Sequence, residues 1–144
     1  MSGKHTAWHK SHAHNERRAR ALLCVVGVCY LALGVAGLAS GPGRVLIFSS
    51  GLLLDVVRTA VGLLCLTALH PRASATALGS VLTVGFTALL AYGVPAAIVT
   101  DRVDMDHVFP ISWADNVLHL ATALIGLIVA MSRYRVRDVV APGR

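Results

Sequence analysis

Two groups of polar residues lie in stretches that are otherwise apolar, and their types could support ion or proton chemistry. Asp55 and Arg58 interrupt one stretch, and Asp115, Asn116 and His119 open another. Carboxylates and an imidazole inside a membrane can hold a cation or relay a proton. Asp55 and Arg58, three residues apart, can also pair along one helix, which favours a structural role in helix packing.

The composition indicates a membrane protein with one domain. The chain has 144 residues, of which 56% are hydrophobic and 14% are charged. No Asp, Glu, Lys or Arg occurs in residues 21–43, 73–100 or 116–132, and each stretch is long enough as a helix to cross about 30 Å of hydrocarbon. Residues 45–69 form an equally long stretch around Asp55 and Arg58. We therefore predict an all-α bundle of four transmembrane helices.

Turn residues and composition set the expected boundaries. Gly41-Pro42-Gly43 and His70-Pro71 are strong turn signals. The first helix could be mistaken for a secretory signal, but its apolar run is longer than the roughly 7–15 residues of such a segment. We predict helices at about 19–39, 45–69, 74–99 and 112–131, a basic, histidine-containing tail at 1–18 and a basic tail at 132–144.

The net charge of +6 is explained by membrane topology rather than by nucleic-acid binding. Lys and Arg residues concentrate before the first predicted helix and after the fourth, whereas the loop between the third and fourth contains three Asp residues. Because positively charged flanks stay in the cytoplasm, we expect a multi-pass plasma-membrane protein with both termini cytoplasmic.

Each predicted helix has one stripe of small or polar residues at steps of three and four. Such stripes allow close backbone approach between helices in lipid, so we expect them to face the bundle interior. Gly27, Gly34, Gly37, Gly62 and Gly126 are the predicted packing glycines. The complete stripes are Gly27, Tyr30, Gly34, Gly37 and Gly41; Gly51, Asp55, Arg58, Gly62 and Cys65; Thr76, Ser80, Thr83 and Thr87; and Ser112, Asp115, His119, Thr122 and Gly126.

These stripes would bring the polar groups together in the outer half of the bundle. Asp115 and His119 are one turn apart, and Asp55 is expected about 13 Å below the start of its helix. The resulting cluster of Asp55, Arg58, Asp115, Asn116 and His119 could bind a cation, relay protons or lock the helices together. Ser112-x-x-Asp115 also has capping-box spacing, so Asp115 could be a helix cap.

Other candidate ligands are better explained without a site. His5 and His9 in the tail could share a helix face and bind a metal, but a solvated basic tail that touches anionic lipid is favoured. Asp104, Asp106 and His107 are expected to be a solvated loop. We predict no metal site, no cofactor and no catalytic residues, because one intramembrane histidine does not make a two-histidine haem site and no nucleophile and base are paired.

The pattern Asp115-Asn116-x-x-His119 and the residues after it resemble a known family. Its members are small actinobacterial four-helix membrane proteins catalogued as a domain of unknown function. The resemblance covers about residues 19–131 and implies two similar helical hairpins, with an acid-Asn-x-x-His pattern opening the even-numbered helices. This chain has Arg58 where such proteins often have His. A weak internal repeat at an offset of 61 residues also suggests duplicated hairpins, with chance similarity as the alternative.

These observations favour a structural or accessory membrane protein that associates with the lipid bilayer and with other membrane subunits or itself. The alternative is a small transporter or channel component that binds or relays a cation or proton through the cluster.

Overall fold

The computed structural model describes residues 3–41, 43–71, 73–100 and 112–132. It contains four α-helices, each long and apolar enough to cross a membrane, and the predicted all-α four-helix class is confirmed. The candidate spans are Asn15–Ser40, Leu52–Leu69, Ala75–Ile98 and Trp113–Met131.

The first helix, α1, begins much earlier than predicted. It runs from Gly3 to Ser40, so the predicted helix start at about residue 19 is wrong, while the cytoplasmic location of residues 1–18 stays a prediction. Between Gly3 and Gly27 there is no glycine or proline to end a helix, and Glu16 and the neighbouring arginines are good helix formers. The polar segment therefore continues the membrane helix instead of detaching from it.

A short β-hairpin follows α1 where the sequence predicted the start of the second helix. Strand β1 (Gly43–Val45) pairs antiparallel with strand β2 (Phe48–Ser50), with Val45 opposite Phe48. Leu46 in the turn has a φ of 58° and is exposed. The predicted helix start at residue 45 is wrong, because helix α2 begins at Leu52. We call the end of the bundle next to this β-hairpin the hairpin end.

The remaining helices begin and end near their predicted positions. Helix α2 spans Leu52–Leu66 and continues as a 3-10 turn over Thr67–Leu69. Helix α3 spans Ala75–Thr100 and passes through Pro95, and helix α4 spans Trp113–Met131. At the opposite end of the bundle, the Arg20 side chain on α1 donates to the carbonyls of Ala68 and His70, at 2.8 and 2.9 Å. We call this the Arg20 end.

The helices pack mainly as two pairs, α1 with α2 and α3 with α4. The pairs meet through a buried core that includes Leu23 and Val26 of α1 and Leu82 and Phe86 of α3. The ring of Tyr30 contacts Phe86 edge-on, with centroids 5.2 Å apart. Many large apolar side chains remain exposed on the outer helix faces, as expected where lipid rather than water surrounds the protein.

The predicted inward stripe of the third helix is wrong. Ser80 and Thr87 are exposed and Thr76 and Thr83 half-buried, while the buried residues Ala75, Gly79, Leu82 and Phe86 lie one position back. The exposed Ser80 hydroxyl donates to the Thr76 carbonyl of its own helix, whereas the half-buried Thr83 hydroxyl has both the Gly79 carbonyl and, at 3.5 Å, the Ala123 carbonyl of α4 as acceptors. The close contact made at Gly79 sets the face instead.

Candidate functional site: a buried ion network at the hairpin end

The Asp55 and Arg58 side chains form an ion pair within α2. Arg58 Nη1 lies 3.1 Å from Asp55 Oδ1, and the two residues are 2% and 1% exposed. Asp55 stands in the first turn of α2, about 5 Å along the axis from Leu52 at 1.5 Å per residue. The prediction of about 13 Å is wrong, because it counted the β-hairpin as helix. The pair lies near the hairpin end, where insertion of charge costs less than at mid-membrane.

Arg58 also bridges to the second helix pair. Its Nη2 donates to Asp115 Oδ1 on α4, and Asp115 is fully buried. One guanidinium therefore joins two carboxylates, one on its own helix and one on a helix of the other pair. We call Asp55, Arg58 and Asp115 the ion network.

Asp115 caps α4 at the same time. Ser112 is the N-cap residue, its side chain accepts from the Asp115 backbone N–H, and the Ser112 N–H donates to Asp115 Oδ2 at 2.9 Å. The predicted capping box is confirmed. Each carboxylate oxygen of Asp115 thus has its own function, since Oδ2 holds the helix start and Oδ1 pairs with Arg58.

Strand β2 covers the ion network, and the sequence analysis missed this contribution. The Ser49 N–H donates to Asp115 Oδ2 at 3.2 Å, and the Ser49 carbonyl accepts from Arg58 Nη1 at 2.6 Å. The Ser50 hydroxyl donates to Asp55 Oδ2 at 2.7 Å. Ser49-Ser50-Gly51 are residues that favour turns and helix starts, and this signal could have placed the beginning of α2 correctly.

Asn116 and His119 lie beside the ion network but contact α3. Asn116 Nδ2 donates to the Gly93 carbonyl at 3.0 Å, and the His119 ring packs against Phe86 with centroids 5.4 Å apart. Both residues are buried. Their contacts hold α4 against α3, and Gly93 is another contact that the sequence analysis missed.

A second polar link joins the helix pairs deeper in the bundle. Tyr30 Oη and Thr122 Oγ1 are 3.0 Å apart, and the Thr122 hydroxyl has the Leu118 carbonyl as acceptor at 2.8 Å. Tyr30 is therefore the donor to Thr122. Beyond Thr122, the buried residues of α4 are Ala123, Gly126 and Val129, which are small or apolar.

Three buried polar atoms have no hydrogen-bond partner among the described residues. They are Arg58 Nε, Asn116 Oδ1 and His119 Nδ1. With both acids ionised, two carboxylates and one guanidinium give the ion network a formal charge of −1. A cation or a proton would offset this surplus charge, whereas the Nε–H donor of Arg58 would need an acceptor such as a water molecule.

The five predicted packing glycines are all buried at helix contacts. A Cβ atom on Gly37 or Gly34 would overlap the Asp55 carboxylate or Thr59, respectively, so α1 can lie against α2 only without side chains there. A Cβ on Gly126 would lie 2.8 Å from the Gly79 carbonyl oxygen. Gly27 and Gly62 make the corresponding close contact between α1 and α2 nearer the Arg20 end.

Other predicted ligands lie outside what the structure describes in atomic detail. The side chains of His5 and His9 are not described, and Asp104, Asp106 and His107 lie outside the described residues. Within the described parts of the chain, no group of three or more His, Cys, Asp or Glu residues is placed to hold a metal ion.

Comparison with known protein families assigns the chain. The model of a family described as a domain of unknown function, DUF4383, matches residues 20–132. The chain belongs to the DUF4383 family. The predicted resemblance is confirmed, and the DUF4383 region includes the four candidate spans except for the first five residues of the Asn15–Ser40 span, together with the whole ion network. The actinobacterial source and the duplication of helix pairs stay predictions. No curated protein and no solved structure matches the chain.

Proposed function

We propose that this DUF4383 protein is a structural or accessory integral membrane protein, without catalytic activity, whose ion network fixes its two helix pairs in one register. The proposal places the protein in the plasma membrane with both termini cytoplasmic, as the distribution of Lys and Arg supports. A buried ion pair is better evidence for a fixed arrangement of helices than for high stability. Arg58 determines the register of α2 against α4, because it pairs with both Asp55 and Asp115.

The observation that carries this proposal is that the buried polar side chains extend from the hairpin end only to about the middle of the bundle. On the inward face of α4, Asp115, His119 and Thr122 are followed by Ala123 and Val129. On α1, the core residues nearer the Arg20 end are Leu23 and Val26. A path for protons or cations needs polar groups or water along its whole length. Among the described residues this series ends at Thr122, which supports a lock between helices over a conduit.

Association with other membrane subunits or a second copy belongs to the same proposal. Ser80 and Thr87 form an exposed flank of α3, where their small side chains would let a second helix approach closely. Native electrophoresis of mild-detergent extracts should therefore show a complex, and Ser80→Leu with Thr87→Leu should dissociate it. An unchanged complex would contradict this contact.

A small transporter or channel component is the second candidate. The formal charge of −1 on the ion network and the unpartnered Nδ1 of buried His119 favour it. Histidine NMR in nanodiscs, with His119→Gln to assign the signal, tests whether water reaches the site. A His119 that titrates between about pH 5 and 8 and exchanges rapidly with solvent would support this candidate.

Flux and stability of His119→Leu distinguish the two candidates. If the buried polar groups only hold the helices together, wild-type vesicles carry no proton or cation flux above empty vesicles, and His119→Leu lowers bundle stability through the α3–α4 contact without changing the leak. Phe86→Leu, which removes the ring packed on His119, is the matched control. It should also lower the stability of the bundle and leave the flux unchanged. Wild-type flux that His119→Leu abolishes, with unchanged stability, would overturn the structural proposal.

A further inference from the structure

A cleft opens between α1 and α4 at the Arg20 end, far from the ion network. Its volume is about 350 Å³, and its lining includes Arg18 and Leu22 of α1 and Ile128 and Ser132 of α4. This volume falls within the roughly 300–1,000 Å³ of small-molecule sites. The cleft lies between the two helix pairs, where α1 and α4 make far less contact than the helices within a pair.

The cleft is polar at its mouth and apolar one helical turn deeper. Asn15, Arg18 and Ser132 supply the polar groups, and Leu22 and Ile128 lie further along their helices toward the middle of the membrane. Both walls change from polar to apolar at similar depth. A ligand that fits this gradient has a polar head joined to a hydrocarbon part.

The charge at the mouth selects an anion. Glu16 lies 3.2 Å from Arg20, and Arg20 also donates to carbonyls that follow α2, so both side chains are engaged. Arg18 is exposed and has no acidic partner among the described residues. An anionic headgroup can therefore occupy the mouth without displacing an existing ion pair.

We propose that this cleft binds an anionic phospholipid, with its phosphate at Arg18 and the upper part of an acyl chain against Leu22 and Ile128. Basic pockets between transmembrane helices at the cytoplasmic side recognise such headgroups. The predicted orientation puts the Arg20 end on that side, where anionic lipid is available. A free phosphate ion would use Arg18 but leave the apolar wall empty.

Native mass spectrometry of the full chain, released from nanodiscs of phosphatidylglycerol and phosphatidylcholine, tests the proposal. We expect preferential retention of one phosphatidylglycerol, weakened about fivefold by Arg18→Gln, from the roughly 1 kcal/mol that one surface cation contributes. Arg17→Gln is the matched control, because Arg17 is an exposed neighbour of the same charge that does not line the cleft. Ile128→Trp, at an exposed position, should fill the apolar part and also reduce retention.

Three results would overturn the proposal. Equal losses in Arg17→Gln and Arg18→Gln would indicate general attraction to a charged surface. Displacement of the lipid by inorganic phosphate at millimolar concentration would indicate a free-anion site. Equal retention of phosphatidylcholine and phosphatidylglycerol would show that the headgroup charge is not recognised. None of these results affects the ion network, which lies at the other end of the bundle.

Discussion

Asp115 shows how one buried carboxylate can satisfy a helix start and an arginine together. An ionised carboxylate offers about four acceptor positions, and Asp115 uses them for Arg58, Ser49 and Ser112. The sequence presented the cap and the ion partner as alternative explanations of Asp115. Both hold, because the two oxygens point to different partners.

Asp115→Asn should destabilise the bundle strongly. The amide keeps the shape but carries no charge, so Arg58, Ser49 and Ser112 lose hydrogen bonds to a carboxylate, and hydrogen bonds to charged groups contribute about 1.5–3 kcal/mol. Reversible unfolding in mixed detergent micelles measures this loss. Combining Asp115→Asn with Arg58→Met should lower the stability further, since Asp55 is then a buried carboxylate without a cation. A loss below about 1 kcal/mol for the single variant would contradict the assigned role of the network.

At the scale of the elements, replacing Gly126 or Gly85 with alanine should change the stability of the bundle in opposite directions, although both glycines lie inside helices. A Cβ on Gly126 would press on the Gly79 carbonyl and on Thr83 of α3, whereas a Cβ on Gly85 has no atom within 4 Å. Gly126→Ala should therefore cost about 1–3 kcal/mol through overpacking. Gly85→Ala should be neutral or stabilise by up to about 1 kcal/mol, because alanine favours a helix over glycine.

The same unfolding assay measures both variants. Equal effects at the two positions would mean that helix propensity, and not the α3–α4 contact, decides the outcome. That result would contradict the close packing at Gly79 and Gly126.

Hydropathy was enough to predict the four helices. The β-hairpin and the inward face of α3 were missed, because they depend on local hydrogen bonds and backbone preferences. Three apolar stretches without charge and a fourth that contains Asp55 and Arg58 gave the four helices, and steps of three and four gave the inward faces of α1, α2 and α4. The residues at 45–50 are as apolar as a helix needs, yet β-branched Val45 and the Ser49-Ser50 pair favour a β-hairpin before Leu52. In α3, the exposed hydroxyl of Ser80 is satisfied by its own helix and does not mark the inward face, whereas the close contact of Gly79 with Gly126 does.

At the scale of the whole molecule, the predicted orientation is tested by two exposed residues at opposite ends. Ile47 in the hairpin turn is 67% exposed, and Leu69 after α2 is 64% exposed. In a background with Cys24, Cys29 and Cys65 replaced by alanine, a membrane-impermeant maleimide should label Ile47→Cys in intact cells. Leu69→Cys should react only after permeabilisation. The reverse pattern would place the termini outside.

The bridge from Arg58 to Asp115 also has a consequence for how the protein enters the membrane. The two residues are 57 positions apart, and a ribosome adding about 5–20 residues per second needs about 3–11 s between them. During that time the first helix pair holds Arg58 with Asp55 alone, close to the membrane surface where water can still reach the guanidinium. When α4 inserts, Asp115 pairs with Arg58 and the guanidinium becomes buried. The bundle is thus closed by α4, the last of the four helices to be made, and until that moment the first pair presents a neutral but hydrated Arg58–Asp55 pair at the surface where α4 will pack.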